Sequence, residues 1–148
     1  MVELIVPGDP MGKQRPKFNR WTKSAHTPEK TVNYETYVKE LYVSNRFPML
    51  EGYIQVTITA FYKIPKSTSK KKRQQMLNNE LLPDKKPDVD NVAKIICDAL
   101  NTIAYLDDKQ IVSLTVNKFY SEQPRVVVKL SNCKTKQIDK EELLCQTK

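Results

Sequence analysis

Histidine is almost missing from this sequence, and the gap removes whole classes of chemistry. His26 is the single imidazole in 148 residues, so His-rich zinc sites and catalysis by paired histidines are excluded. Glycine is scarce too: Gly8, Gly12 and Gly52 are the only three, which argues against a Gly-rich nucleotide-binding loop. Cysteine is limited to Cys97, Cys133 and Cys145, an odd number with no Cys-x-x-Cys spacing. That usage fits reduced thiols in a cytoplasmic protein. No apolar run approaches the roughly 18 residues needed to span a membrane. The Val2–Val6 run carries Glu3 and lacks the layout of a signal peptide. The expectation is a cytoplasmic protein without a membrane partner.

Positive charge is what the chain has in excess. Lys and Arg number 25 against 17 Asp and Glu, for a net charge of +8 and a pI of about 9.3. Such a balance implies an anionic partner, either nucleic acid or an acidic surface. Apolar content of 39% and charged content of 28% suit a globular chain. The length fits one domain, residues 1–148, able to bury most of its apolar surface on folding.

Taken in order, Val2–Pro7 reads as a first strand closed by Pro7-Gly8 and Pro10. Met11–His26 follows, with Lys13, Arg15, Lys17, Arg20 and Lys23 interleaved with Phe18 and Trp21. Charges for phosphates and planar rings for bases are what a nucleic-acid arm needs; the alternative is a solvated loop whose aromatics dock on the core. His26 reads as a loop residue, not a catalytic base. Thr27 can cap a helix starting at Pro28, with Val32, Tyr34, Tyr37, Val38, Leu41 and Tyr42 forming its core stripe. After Gly52 a strand runs to about Tyr62, its Ile54, Val56, Ile58 and Ala60 facing the core. Lys66 to Arg73 carries five basic residues into a weak helix ending near Leu82, and could wall an electropositive groove. Ile111–Phe119 and Arg125–Leu130 read as strands joined by a turn at Ser121–Pro124, and Asp139–Cys145 as a short terminal helix.

The stretch from Lys85 to Ile111 carries the chemistry. Pro87 biases Lys86 away from helical geometry, and Asp90 is a plausible N-cap for a helix to about Ala104. Val92, Ile95, Ile96, Ala99, Leu100 and Ile103 cluster on one face, while Asp90, Lys94 and Asp98 form a row on the other. A capped amphipathic helix with surface ion pairs accounts for that much. It does not account for Asp88, or for Asp107-Asp108 at the exit, where the helix dipole disfavours negative charge. Clustered carboxylates repel unless a cation neutralises them, and hard divalent ions such as Mg²⁺ take oxygen ligands plus substrate phosphate. Metal-dependent phosphoryl chemistry is therefore favoured over a purely structural cap. Lys94, one turn from Asp90, could orient the water or stabilise charge on the phosphate.

Three other phosphate or metal patterns fit less well. An EF-hand loop from Asp88 needs glycine where Ala93 stands and glutamate where Ala99 stands. The aspartyl-phosphatase signature of haloacid-dehalogenase type, matched loosely by Asp88–Val92, should follow a buried apolar strand rather than Leu82–Pro87. The Pro-Asp…(Asp/Glu)-x-Lys nuclease pattern needs its lysine on a strand, whereas Lys94 falls on a helix.

Lys86–Lys94 (Lys-Pro-Asp-Val-Asp-Asn-Val-Ala-Lys), Asp98-Ala99-Leu100 and Leu106–Ile111 together resemble the signature of the RusA family of Holliday-junction resolvases. Gly12–Lys17 and His26-Thr27-Pro28 are similar to the N-terminal part of many members, so the resemblance covers most of the chain. It implies that Asp88, Asp90 and Asp108 are metal-binding catalytic carboxylates, with Asp107 as a further candidate ligand. Lys94 would match the family's functionally important lysine. It also implies a homodimeric endonuclease dependent on Mg²⁺, with Mn²⁺ as a substitute, that nicks symmetrically related strands of a four-way junction. Lys13, Arg15, Lys17, Arg20, Lys70, Lys71, Lys72, Arg73 and Lys86 are the expected DNA contacts. The expected fold is a single α+β domain, a mixed sheet with helices packed on one side. A non-catalytic DNA-binding protein with a basic groove is the alternative from another class, and a metal-dependent phosphatase ranks below it.

Overall fold

Strict alternation builds the central strand. In β4 (Ile54–Lys63), Ile54, Val56, Ile58, Ala60 and Tyr62 are all buried, and the residues between them face the other way. The computed structural model describes residues 1–133. The terminal helix expected at Asp139–Cys145 lies outside them. β4 is flanked on one side by β5 (Ile111–Ser121), parallel to it, and on the other by β6 (Arg125–Asn132), antiparallel. β1 (Val2–Pro7) pairs antiparallel with β6, giving the order β1-β6-β4-β5. The turn after Ser121 therefore joins strands that are not neighbours, since β4 lies between them.

One face of this mixed sheet is the core. Val2, Leu4 and Val6 join the β4 set with Val126, Val128 and Leu130 from β6. Two helices cover that face. α1 (Glu29–Ser44) buries Thr31, Tyr34, Val38 and Tyr42, and α3 (Val89–Leu100) buries Val92, Ala93, Ile95, Ile96, Ala99 and Leu100. Each fully buried aliphatic side chain contributes about 1.5–3 kcal/mol, so the face of α3 is a main source of cohesion. α2 (Lys70–Leu77) buries nothing and starts at Ser69, whose hydroxyl accepts from the Lys72 N–H at 3.4 Å. Single-domain α+β architecture with helices on one side agrees with the sequence.

The helix ends differ from expectation. Pro28, not Thr27, occupies the N-cap position of α1, with no side-chain cap bond. Val32 and Tyr37 are exposed, and Thr31 takes the buried place one residue earlier. Asp88 rather than Asp90 is the N-cap residue of α3, with extended backbone at φ −72° and ψ 158°, and its side chain makes no cap bond. α3 stops at Leu100, because Asn101 turns extended and bridges to Tyr105.

Candidate active site

Asp90, now in the first turn of α3, favours the helix dipole. It lines a cleft of about 320 Å³ together with Lys94, Asp98, Asp108, Ala93, Cys97 and Leu114. Asp108 reaches that cleft from a 3₁₀ turn, Asp108–Gln110, some distance along the chain. Three bonds hold it there. The Tyr105 hydroxyl donates to the Cys97 carbonyl at 2.6 Å, Leu50 N–H donates to Ala104 O at 2.7 Å, and the Gln110 amide donates to Gly52 O at 3.1 Å.

The two acids of the Asp107-Asp108 pair divide their work. Asp107 caps the 3₁₀ turn: its carboxylate accepts from Lys109 N–H at 2.9 Å, and the Gln110 side chain reaches back to the Asp107 N–H at 3.1 Å. The backbone hydrogen bond from Lys109 holds the Asp107 carboxyl below its ordinary range. Asp108 is left to face the cleft. The Asp-x-x-Gln spacing of a capping box is present in the sequence and could have separated the two.

Asp88 opens on a different cleft of about 460 Å³, lined also by Gly12, Lys13, Lys86, Pro87 and Asn91. At 100° per residue, side chains two positions apart emerge on different sides of a helix start. The four acids expected to cluster are thus not drawn into one shell. Among the described residues, no three His, Cys, Asp or Glu side chains converge closely enough to hold a metal as they stand. The donor set still suits a hard cation: Asp90 and Asp108 offer carboxylate oxygens, and Mg²⁺ needs only one or two of these beside water and phosphate. Burial pushes the Cys97 thiol up to about 11, and a hard cation prefers the carboxylate oxygens to sulfur.

The sheet anchors the loop that precedes α3. Tyr62 donates its hydroxyl to the Pro87 carbonyl; burial pushes that phenol up to about 12, so it stays a donor. Lys118 donates to Lys85 O at 2.6 Å while lying over the Tyr62 ring at 5.0 Å. The element directly before Asp88 is α2, not a strand, which removes the context the aspartyl-phosphatase signature requires.

Lys13 departs from its expected role. Its ammonium pairs with Glu35 on α1 and, at 3.3 Å, with Asp98 on α3, and its side chain is only 19% exposed. Burial alone would lower its pKa, but the hydrogen bonds to Glu35 and Asp98 outweigh it and hold the ammonium above its usual value. Asp98 also pairs with Lys94 at 3.3 Å, so one carboxylate holds two lysines beside the cleft. Arg73 likewise pairs with Glu122 at 2.7 Å. Arg15, Lys17, Arg20, Lys70, Lys71, Lys72 and Lys86 are exposed. Sequence reading did not single out Lys63 and Lys85, which with Lys66 and Lys86 line a cleft of about 500 Å³ next to that of Asp88. Their sequence signal is weak because they are scattered along the chain and meet only through folding.

The arm forms a small hairpin, β2 (Lys17–Asn19) against β3 (Ser24–His26), with Phe18 64% and Trp21 96% exposed. The aromatics do not dock on the core. His26 sits in β3, exposed, and lines a cleft with Lys17, Glu29 and Lys30 that holds none of the four candidate aspartates. No helix of the described residues is long and apolar enough to cross a membrane.

Comparison with known proteins follows the same stretch. The uncharacterized protein YqaN of Bacillus subtilis (strain 168) is 38% identical over 133 residues, covering 86% of this chain and 93% of that protein. The family model described as endodeoxyribonuclease RusA matches residues 7–131, from the end of β1 through almost all of β6 and across Asp88, Asp90, Asp98, Asp107 and Asp108. The chain belongs to the RusA endodeoxyribonuclease family.

Proposed function

We propose that this protein is a Mg²⁺-dependent endodeoxyribonuclease that nicks four-way DNA junctions as a homodimer. The observation that carries the reading is the shared cleft of Asp90, Asp108 and Lys94, with Asp88 at the start of the same helix, in a chain of this family. Asp88, Asp90 and Asp108 are the residues that would hold the ion, with Mn²⁺ able to replace Mg²⁺. A divalent ion bound there supplies Lewis-acid stabilisation of the phosphate and an activated water. Lys94, tied to Asp98, offers a positive charge to the phosphate oxygens. The lysines flanking these clefts attract the DNA backbone and hold its register. A twofold dimer suits a branched substrate with approximate twofold symmetry, because it offers two sites to two related strands.

A labelled junction incubated with Mg²⁺ should yield paired nicks in symmetrically related strands. Asp88→Asn, Asp90→Asn and Asp108→Asn should each bind the junction without cutting it. Near-wild-type cutting by any one variant removes that residue from the site. If the wild type binds but never cuts with Mg²⁺ or Mn²⁺, the protein is a non-catalytic DNA binder.

A further inference from the structure

The β2–β3 hairpin has features that phosphate binding alone does not use. Trp21 sits at its tip with 96% of its surface exposed and Phe18 nearby with 64%. An indole held in water loses the burial energy its ring could gain, so such a position fits a ring that meets a partner. The tip is shaped: the Asn19 side-chain oxygen accepts from the backbone N–H of Trp21 at 2.9 Å and of Thr22 at 3.4 Å. The Thr22 and Ser24 hydroxyls bond at 2.7 Å, and Lys23 completes the turn with a φ of +52°. From Met11 to His26 there is no acidic residue, while Lys17, Arg20 and Lys23 lie within four residues of Trp21 along the chain. That charge selects a polyanion as the occupant.

The hairpin is also rooted at the carboxylates. Lys13 N–H donates to Asn91 O at 3.0 Å. A Cβ on Gly12 would come within 2.7 Å of Pro87 Cβ and 3.0 Å of Asn91 Cβ, so only glycine lets the loop lie this close to the start of α3. Trp21 lies eight residue steps from Lys13, so its Cα is at most about 29 Å from that anchor. That is less than the roughly 34 Å of one turn of duplex.

Within intact duplex, base faces are covered by their neighbours, and only groove edges and phosphates are open. An indole has one N–H and cannot read those edges well. Its face suits a base whose own face is bare, as at a branch point or in a single strand. We infer that the β2–β3 hairpin holds Trp21 as a stacking plate for an unstacked nucleobase at the branch of the DNA, within one helical turn of the cleaved phosphate. This rests on the endonuclease reading above.

Trp21 is the chain's single tryptophan, so its emission reports directly on the tip. The full-length protein should be titrated in EDTA with a four-way junction, a single strand and a duplex of equal length, and the signals compared at saturation. Junction and single strand should quench Trp21 strongly and duplex only weakly. Trp21→Ala should weaken junction binding roughly tenfold, within the range for loss of one base stack, while leaving duplex affinity and melting temperature unchanged. Trp21→Phe should retain most of the affinity. Equal quenching by duplex and junction, or full junction affinity in Trp21→Ala, would overturn the plate. So would a blue shift that grows with protein concentration without DNA, which would assign the tip to a second copy of the chain. A protein that binds and cuts junctions with unaltered Trp21 emission loses the plate alone. One that neither binds nor cuts them loses the endonuclease reading as well.

Discussion

Two regions of one short segment treat their positive charges in opposite ways. At the root of the arm, Lys13 turns inward to Glu35 and Asp98. A few residues on, Lys17, Arg20 and Lys23 extend into solvent from a hairpin with no acid of its own. Composition treats the lysines of these two regions alike. What separates them is the carboxylates that the fold brings from elsewhere: Glu35 lies 22 residues away and Asp98 on another helix. A basic run therefore divides into charges that hold the site together and charges available to a partner.

The sharpest test of this inner and outer division uses the two neighbouring acids. Asp108→Asn should abolish junction cutting, while Asp107→Asn should leave it near wild type. Asparagine can still cap the 3₁₀ turn, whereas a ligand to a divalent ion needs the charge. Loss of cutting in both variants would dissolve the distinction between cap and cleft residue.

A smaller effect is expected at Lys13. Lys13→Met strips Glu35 of its cation and leaves Asp98 with Lys94 alone, and should lower urea-denaturation stability by about 1–3 kcal/mol. Replacing Glu35 with Gln as well should recover much of that loss, because removing both partners costs less than stranding one. A single variant as stable as wild type would make this pair an ordinary surface contact.

The mildest change belongs to the outer set. Lys17→Gln or Arg20→Gln should reduce the magnitude of the log–log salt slope of DNA binding by roughly 0.9 each, the duplex value per phosphate contact. Charge removal at Lys13, tied inward, should leave the slope unchanged. Equal slope changes at Lys13 and Lys17 would erase the comparison.

Much of this was legible in the sequence, for local reasons. The α3 stripe and the β4 alternation follow from 3.6- and 2-residue periods, and both emerged with the expected faces buried, except that Ile103 lies past the end of α3 and is only partly buried. Caps were harder. Asp88 and Asp90 are equally good capping types two residues apart, and the choice depends on where Pro87 releases the chain. The α1 stripe shifted because Thr31 is buried beside Tyr34 and Val38, leaving Val32 on the outer side. Strand neighbours were not readable at all, since β4 enters between β5 and β6 through pairings that no local pattern encodes. Nor was the Lys13–Glu35 pair, because any of several acids could have met that lysine.

The strand order has a consequence in time. Among the described residues β1 pairs with β6 alone, Val2 opposite Leu130 and Pro7 opposite Arg125. As the chain leaves the ribosome, its first strand must wait for one made more than a hundred residues later. Until then β4 also lacks its antiparallel neighbour, and the apolar face of α3 has only part of a sheet to pack on. Such distant pairing delays folding, since loop closure precedes its reward. The carboxylates at both ends of α3 are translated well before the sheet beneath them is complete. A nascent chain thus carries every acid of the cleft without the assembled cleft, and competence arrives late, with β6.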